Sequence, residues 1–166
     1  MQIEELGAAK VLKNYDGICV PGGFGSRGVE GIIDAIKYAR VNNIPYLGLC
    51  YGMQLATIEY ARNVAKLRGA HTTEVEKDAK HRIIHIMPEQ EKRLLKREYG
   101  ATMRLGAWDC VIKQGTKTEK AYQRSGWINK SGDNKITERH RHRYEFNNEY
   151  RAALERAGMT FSGTTP

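Results

Sequence analysis

Apolar and polar positions alternate in blocks along the first 60 residues, and the period of each block changes in a regular way. Asp16-Gly17-Ile18-Cys19-Val20 is a short apolar run ended by Pro21-Gly22-Gly23, the signature of a buried strand running into a glycine turn. Val29, Ile32, Ile33, Ile36 and Ala39 then recur at helical spacing, and Asn42-Asn43 closes the helix. Ile44-Pro45 opens a second strand, Tyr46 and Leu47 continue it, and Met53 to Tyr60 has helical character again. Strand, helix, strand, helix is a βαβα unit, which implies a parallel sheet covered by helices with its ligand crevice at the carboxyl ends of the strands. The fold class expected is therefore α/β, a flavodoxin-like, mainly parallel sheet with helices on both faces.

Beyond Gly69 the patterning is looser. His81 to Met87 and Trp108 to Ile112 are strand-like, Glu89 to Glu98 is a charged insertion, and Glu138 to Phe146 alternates as a further strand. Asn148 to Ala157 closes as a helix, with Tyr150, Ala153, Leu154 and Ala157 on one face and Gly158 as its stop. There is no internal repeat, low-complexity tract or linker, and 166 residues suit one domain.

Composition narrows the function classes. No stretch approaches the roughly 20 apolar residues needed to cross a bilayer, and the N-terminus does not read as a signal peptide, so a cytoplasmic protein without membrane partners is expected. Three widely spaced cysteines, Cys19, Cys50 and Cys110, suggest neither a disulfide framework nor a zinc site. The net charge is +8, yet residues 1–60 carry five Lys/Arg against six Asp/Glu, and the rest of the chain carries 22 against 13. The basic excess lies in the later part of the chain. A solvated face, or a surface for nucleotide phosphates or a partner domain, accounts for it without nucleic-acid binding.

The most specific chemistry sits at Gly48-Leu49-Cys50-Tyr51-Gly52, between the second strand and the second helix. A residue at the apex of so tight a turn is crowded on both sides, which is why glycines flank it, and its side chain is held clear of the sheet. A sulfur there also faces a helix N-terminus, whose dipole and free N–H groups favour the nucleophilic thiolate. Cys50 is the expected nucleophile, whereas Cys19 and Cys110, on strand-like runs, are expected to pack in the core. Without further information Gly22, Gly23 and Gly25 are turn residues and Glu74 is a loop carboxylate. Extended, Arg139, Arg141 and Arg143 fall on one face and His140 and His142 on the other: a solvated strand, a phosphate stripe or part of a pocket.

Four segments carry a resemblance: Val20 to Gly28, Gly48 to Gln54, Thr102-Met103-Arg104-Leu105-Gly106, and Glu138-Arg139-His140-Arg141-His142-Arg143-Tyr144-Glu145-Phe146-Asn147. Nearly end to end, the chain resembles the glutamine amidotransferase domain of the CTP synthase family. The Gly-x-Cys-x-Gly elbow alone is shared by all triad-type class I amidotransferases; the other three segments are narrower. The resemblance implies that Cys50 attacks the side-chain amide of glutamine and that ammonia passes to a synthase domain of the same polypeptide, which aminates ATP-activated UTP. It implies an oxyanion hole from the backbone N–H groups of Gly23 and Tyr51, and glutamine binding by Gly23, Tyr51, Gly52, Met53, Gln54, Glu74 and Arg143. Glu74 would face the ammonium group, and Arg27 would belong to a region coupled to the allosteric nucleotide GTP. No cofactor is expected in this chain; ATP, Mg and GTP are implied for the full enzyme, as is a homo-oligomer.

Two departures stand out. Tyr51 follows the nucleophile where the family usually has leucine, and the chain ends at Thr164-Thr165-Pro166 before any His-x-Glu motif of the kind that supplies the family's base. The first strand and helix expected at the front are also missing. Residues 1–166 are therefore expected to be a partial amidotransferase domain, with little or no turnover alone. Another class I amidotransferase, such as one serving GMP synthesis, or a non-catalytic truncated module, are the alternatives.

Overall fold

The computed structural model describes residues 2–86, 103–128 and 134–166. The charged insertion from Glu89 to Glu98 lies outside the described residues, as does Thr102. Two five-residue helices, α1 (Gln2–Leu6) and α2 (Ala8–Leu12), precede the βα unit read from the sequence. That unit comprises β1 (Ile18–Val20), α3 (Val29–Val41), β2 (Tyr46–Gly48) and α4 (Tyr51–Asn63). Strands β1 and β2 pair in parallel, Ile18 opposite Tyr46 and Val20 opposite Gly48.

The helical spacing along α3 does the work expected of it. Val29, Ile33, Ile36 and Ala39 are buried, and the helix stops at Asn42, whose side chain donates to the Tyr38 carbonyl at 2.8 Å, followed by Asn43 at φ 54°. Leu55, Ile58 and Ala61 of α4 meet Ile33 and Ile36 in the main core. A second sheet closes that core, with β3 (Ala70–Thr72) parallel to β4 (His81–Ile86), and β4 antiparallel to β7 (Tyr144–Phe146). A 3-10 turn at Asn148–Tyr150 leads into α6 (Arg151–Arg156), whose Leu154 is fully buried in the same cluster. The Gly158 stop is real, at φ 101°, a left-handed conformation that favours glycine.

Among the described residues, parallel pairing is confined to β1–β2 and β3–β4. The later chain builds an antiparallel ribbon from β5 (Arg104–Ile112), β6 (Lys135–His142) and the two-residue β8 (Gly163–Thr164), with α5 (Lys117–Arg124) between β5 and β6. The ribbon carries its own small apolar cluster of Ile112, Ile128 and Ile136, against which Cys110 packs half-buried. The single strand expected from Glu138 to Phe146 is instead two, because the chain bends at Arg143 and leaves the ribbon to join the second sheet as β7. Cys19 also differs from expectation. Cys19 and Leu47 form a register pair on the face of β1–β2 turned away from α3 and α4, and both are exposed. An apolar run shows that a strand has buried neighbours, not which of its faces is covered.

Two contacts hold α3, α4 and the strands in register. Arg40 at the end of α3 donates to both carboxylate oxygens of Glu59 on α4, at 2.7 to 3.2 Å, and Asn63 donates to the same carboxylate at 3.0 Å. The Glu59 side chain is only 1% exposed, so its charge is satisfied almost wholly by these donors. The second contact is steric. A Cβ on Gly52 would lie 2.2 Å from the Val20 carbonyl oxygen, and one on Gly48 would lie 2.6 Å from the Gly52 carbonyl carbon.

Arg40→Ala strands a buried carboxylate and is expected to cost about 3 kcal/mol, read as a lowered urea midpoint. Gly52→Ala forces α4 off β1, so its expected cost is also about 3 kcal/mol. A Gly52→Ala variant with unchanged urea stability would contradict that close approach.

Candidate active site

Cys50 stands between β2 and α4 with φ 51° and ψ −103°. A non-glycine residue held there stores backbone strain, and the surroundings over-determine it. Leu49 donates its N–H to the Val20 carbonyl at 2.9 Å, Gly52 donates to the Leu49 carbonyl at 3.0 Å, and Gln54 donates to the Cys50 carbonyl at 3.0 Å. Tyr46 of β2 donates its hydroxyl to the Gly52 carbonyl at 2.8 Å. The thiol is exposed and makes no capping hydrogen bond at the start of the 13-residue α4. Strand, strained apex and helix form the elbow read from the sequence.

The glycine loop after β1 reaches this apex. A Cβ on Gly22 would be 3.7 Å from the Cys50 Cβ, and one on Gly23 would be 3.3 Å from the Tyr51 ring. The glycine loop thus packs against the side chains of Cys50 and Tyr51 at the elbow. Tyr51 is the first residue of α4, where N–H groups have no acceptor within the helix. Glu74 comes to the same loop: its Oε1 accepts from the Gly25 N–H at 2.9 Å. The Tyr51 hydroxyl donates to the Gly25 carbonyl.

On the other side of the elbow a cleft of about 910 Å³ opens, bounded by Cys50, Met53 and Gln54 and by residues of the ribbon and β7. Gln54 is buried; its Nε2 donates to the Tyr144 carbonyl at 3.1 Å, and its Oε1 has no hydrogen-bond partner among the described residues. The far wall contains His140 and His142, whose Nδ1 and Nε2 are 2.8 Å apart, and Glu145, which lies 2.9 Å from Arg104 Nε and 3.7 Å from His142 Nδ1. Burial lowers the His142 pKa, with the Glu145 charge opposing it, so the ring is favoured neutral. Arg104 stacks on Trp108 at 4.5 Å from the ring centre.

Of the residues named from the sequence, Cys50, Met53 and Gln54 line this cleft; Gly23, Tyr51, Gly52, Glu74 and Arg143 do not. Gly23, Tyr51 and Glu74 meet at the glycine loop on the side of the elbow away from it. Burial raises the Tyr144 pKa, the charge of Glu74 adds to the shift and that of Arg143 opposes it. Arg139 and Arg141 are exposed and His140 and His142 half-buried, as strand alternation requires, but Arg143 falls at the bend. Arg104, Trp108 and Glu145 had been quoted only within motifs, with no role. The β5–β6 register, with Arg104 opposite His142 and Gly106 opposite His140, assembles that wall, and only long-range pairing reveals it. Among the described residues no group of three or more His, Cys, Asp or Glu is placed to hold a metal ion, and no helix is long and apolar enough to cross a membrane.

Comparison with known proteins agrees with this fold. The model of the family "Glutamine amidotransferase class-I" matches residues 1–166. A CTP synthase of Listeria monocytogenes serotype 4b (strain F2365) is 54% identical over 158 residues, 95% of this chain and 27% of the relative. One of Bacillus subtilis (strain 168) is 50% identical over 165 residues, 99% of this chain and 29% of the relative. The chain therefore spans under a third of the length of these relatives. A solved structure of the Trypanosoma brucei CTPS glutaminase domain with bound acivicin superposes with a TM-score of 0.85 at 39% identity, covering 99% of this chain and 59% of that one. The chain belongs to the class I glutamine amidotransferases.

Proposed function

We propose that this chain is the glutamine-hydrolysing part of a CTP synthase, releasing ammonia that a synthase domain of the same polypeptide uses to aminate UTP. The observation that carries the reading is the strained, exposed Cys50 between two glycines that have no room for a Cβ, with the Gly22-Gly23 loop against it. Identity of 54% to a CTP synthase favours this reading over a GMP-synthesis amidotransferase.

The Cys50 sulfur adds to the side-chain amide carbon of glutamine. Negative charge collects on the former carbonyl oxygen, and the N–H groups of Gly23 and Tyr51 receive it, each such donor being typically worth about 3 kcal/mol in the transition state. The C–N bond then breaks, the proton from the thiol leaves with nitrogen as ammonia, and a glutamyl thioester remains. Water hydrolyses the thioester to glutamate and restores the thiol. Gln54, Met53 and Gly52 shape the site beside the sulfur. Arg143 and Glu74 serve the charged carboxylate and ammonium ends of the substrate. ATP, magnesium and regulatory GTP belong to the full enzyme, as does assembly into a homo-oligomer.

Glutamate release from glutamine by the full polypeptide is expected to fall at least about a thousandfold on Cys50→Ser. An electrophilic glutamine analogue followed by peptide mass spectrometry should label Cys50 ahead of Cys19, although both thiols are exposed, and glutamine should protect. Equal labelling of the two would reject a specially recognised Cys50.

A further inference from the structure

Pro21 to Phe24 is exposed, with Phe24 at 88%, so no apolar burial anchors the part of the loop that carries Gly23. Gly25 and Gly28 take φ 82° and 72°, conformations available to a chain that is otherwise free to rearrange. An oxyanion donor is effective only when it is held in place before charge develops. Two side chains act on one residue of this loop. Tyr51 donates its hydroxyl to the Gly25 carbonyl while Glu74 accepts from the Gly25 N–H at 2.9 Å, and the Tyr51 ring lies against Gly23.

We infer that the Tyr51 side chain is a positioning residue for glutamine hydrolysis, clamping the glycine loop so that the Gly23 N–H is aimed at the oxyanion. Tyr51 is 5% exposed, with its Cα at the first turn of α4, so the clamp is rigid and is built directly onto the elbow. The same residue thus contributes one oxyanion donor through its backbone and orients the other through its phenol. Burial pushes the phenol pKa up to about 12, with the nearby Glu74 charge adding to the shift, which keeps the hydroxyl a donor at neutral pH. Phenylalanine keeps the ring against Gly23 and removes only the hydrogen bond. Leucine removes the hydroxyl and the ring together.

This inference rests on the glutaminase reading, and three readouts on the full polypeptide separate the two. Tyr51→Phe is expected to lower kcat for glutamate release about tenfold, with KM within about twofold, and Tyr51→Leu to lower kcat further. Alkylation of Cys50 by iodoacetamide, a displacement at saturated carbon that forms no oxyanion, should keep its rate in Tyr51→Phe. Hydrogen exchange of the peptide spanning residues 21–28 should accelerate in both variants. Unchanged kcat and exchange in Tyr51→Phe overturn the clamp, and an equal loss in alkylation and hydrolysis shows a disturbed elbow and overturns the positioning role. A wild-type polypeptide that releases no glutamate overturns the glutaminase reading alone, because the exchange arm still decides whether Tyr51 holds the loop.

Discussion

The backbone of α4 is pressed against β1 and β2 so closely that neither Gly48 nor Gly52 could carry a side chain where it stands. This contact sets the height at which the helix begins, and the helix in turn sets almost everything else. Had either position a Cβ, α4 would have to move outward, and the strained backbone at Cys50 would have a cheaper conformation to relax into. Strain at one residue persists because close packing on both sides leaves it nowhere to go. The reactive position and the stability of the main core therefore share one steric cause.

From that fixed start, successive residues of α4 reach different parts of the molecule. Tyr51 holds the glycine loop, Gln54 reaches the Tyr144 carbonyl on β7, Glu59 binds Arg40 of α3, and Tyr60 donates to the Ala157 carbonyl just beyond α6 at 2.7 Å. Arg62 donates to the Ala70 carbonyl of β3 at 2.7 Å and to Glu30 of α3 at 2.8 Å. Between these polar contacts Leu55, Ile58 and Ala61 are fully buried. Polar ties are directional, so they fix the rotation of the helix about its axis in a way that apolar packing by itself does not. Rotation of α4 is what aims the thiol.

The βα unit was legible because each of its steps has a local cause. Apolar spacing reports the buried face of α3, Asn42-Asn43 its end, and the glycines around Cys50 the elbow. Helices α1 and α2 were not legible, since five residues give less than two turns of periodicity. Helix α5 had a signal that went unused: Thr116 accepts from the Glu119 N–H, while Glu119 accepts from the Gly115 N–H, a close relative of the capping box that Thr-x-x-Glu announces. The bend at Arg143 leaves the apolar pattern intact on both sides, so alternation could not show that the strand changes sheets there. Glu74 lies 49 residues from Gly25, its hydrogen-bond partner, and no spacing rule reaches that far.

Charge shows the same division between local and long-range information. The +8 excess is confined in sequence to residues after 60 and reads there as a general basic surface. In the folded chain Arg104, Arg139 and Arg141 belong to the ribbon that bounds the cleft beside Cys50, while residues 1–60, which include the elbow, are close to neutral. Arg104 is balanced there by Glu145, and burial favours a neutral His142. Arg139 and Arg141 are exposed, so their charge acts on what enters the cleft more than on the protein itself. Basic groups at the edge of a cleft draw an anionic group toward it before any contact is made. The β5–β6 register thus gathers part of the basic excess on the ribbon beside the cleft, a concentration that a reading of composition alone, which assigns it to the surface at large, misses.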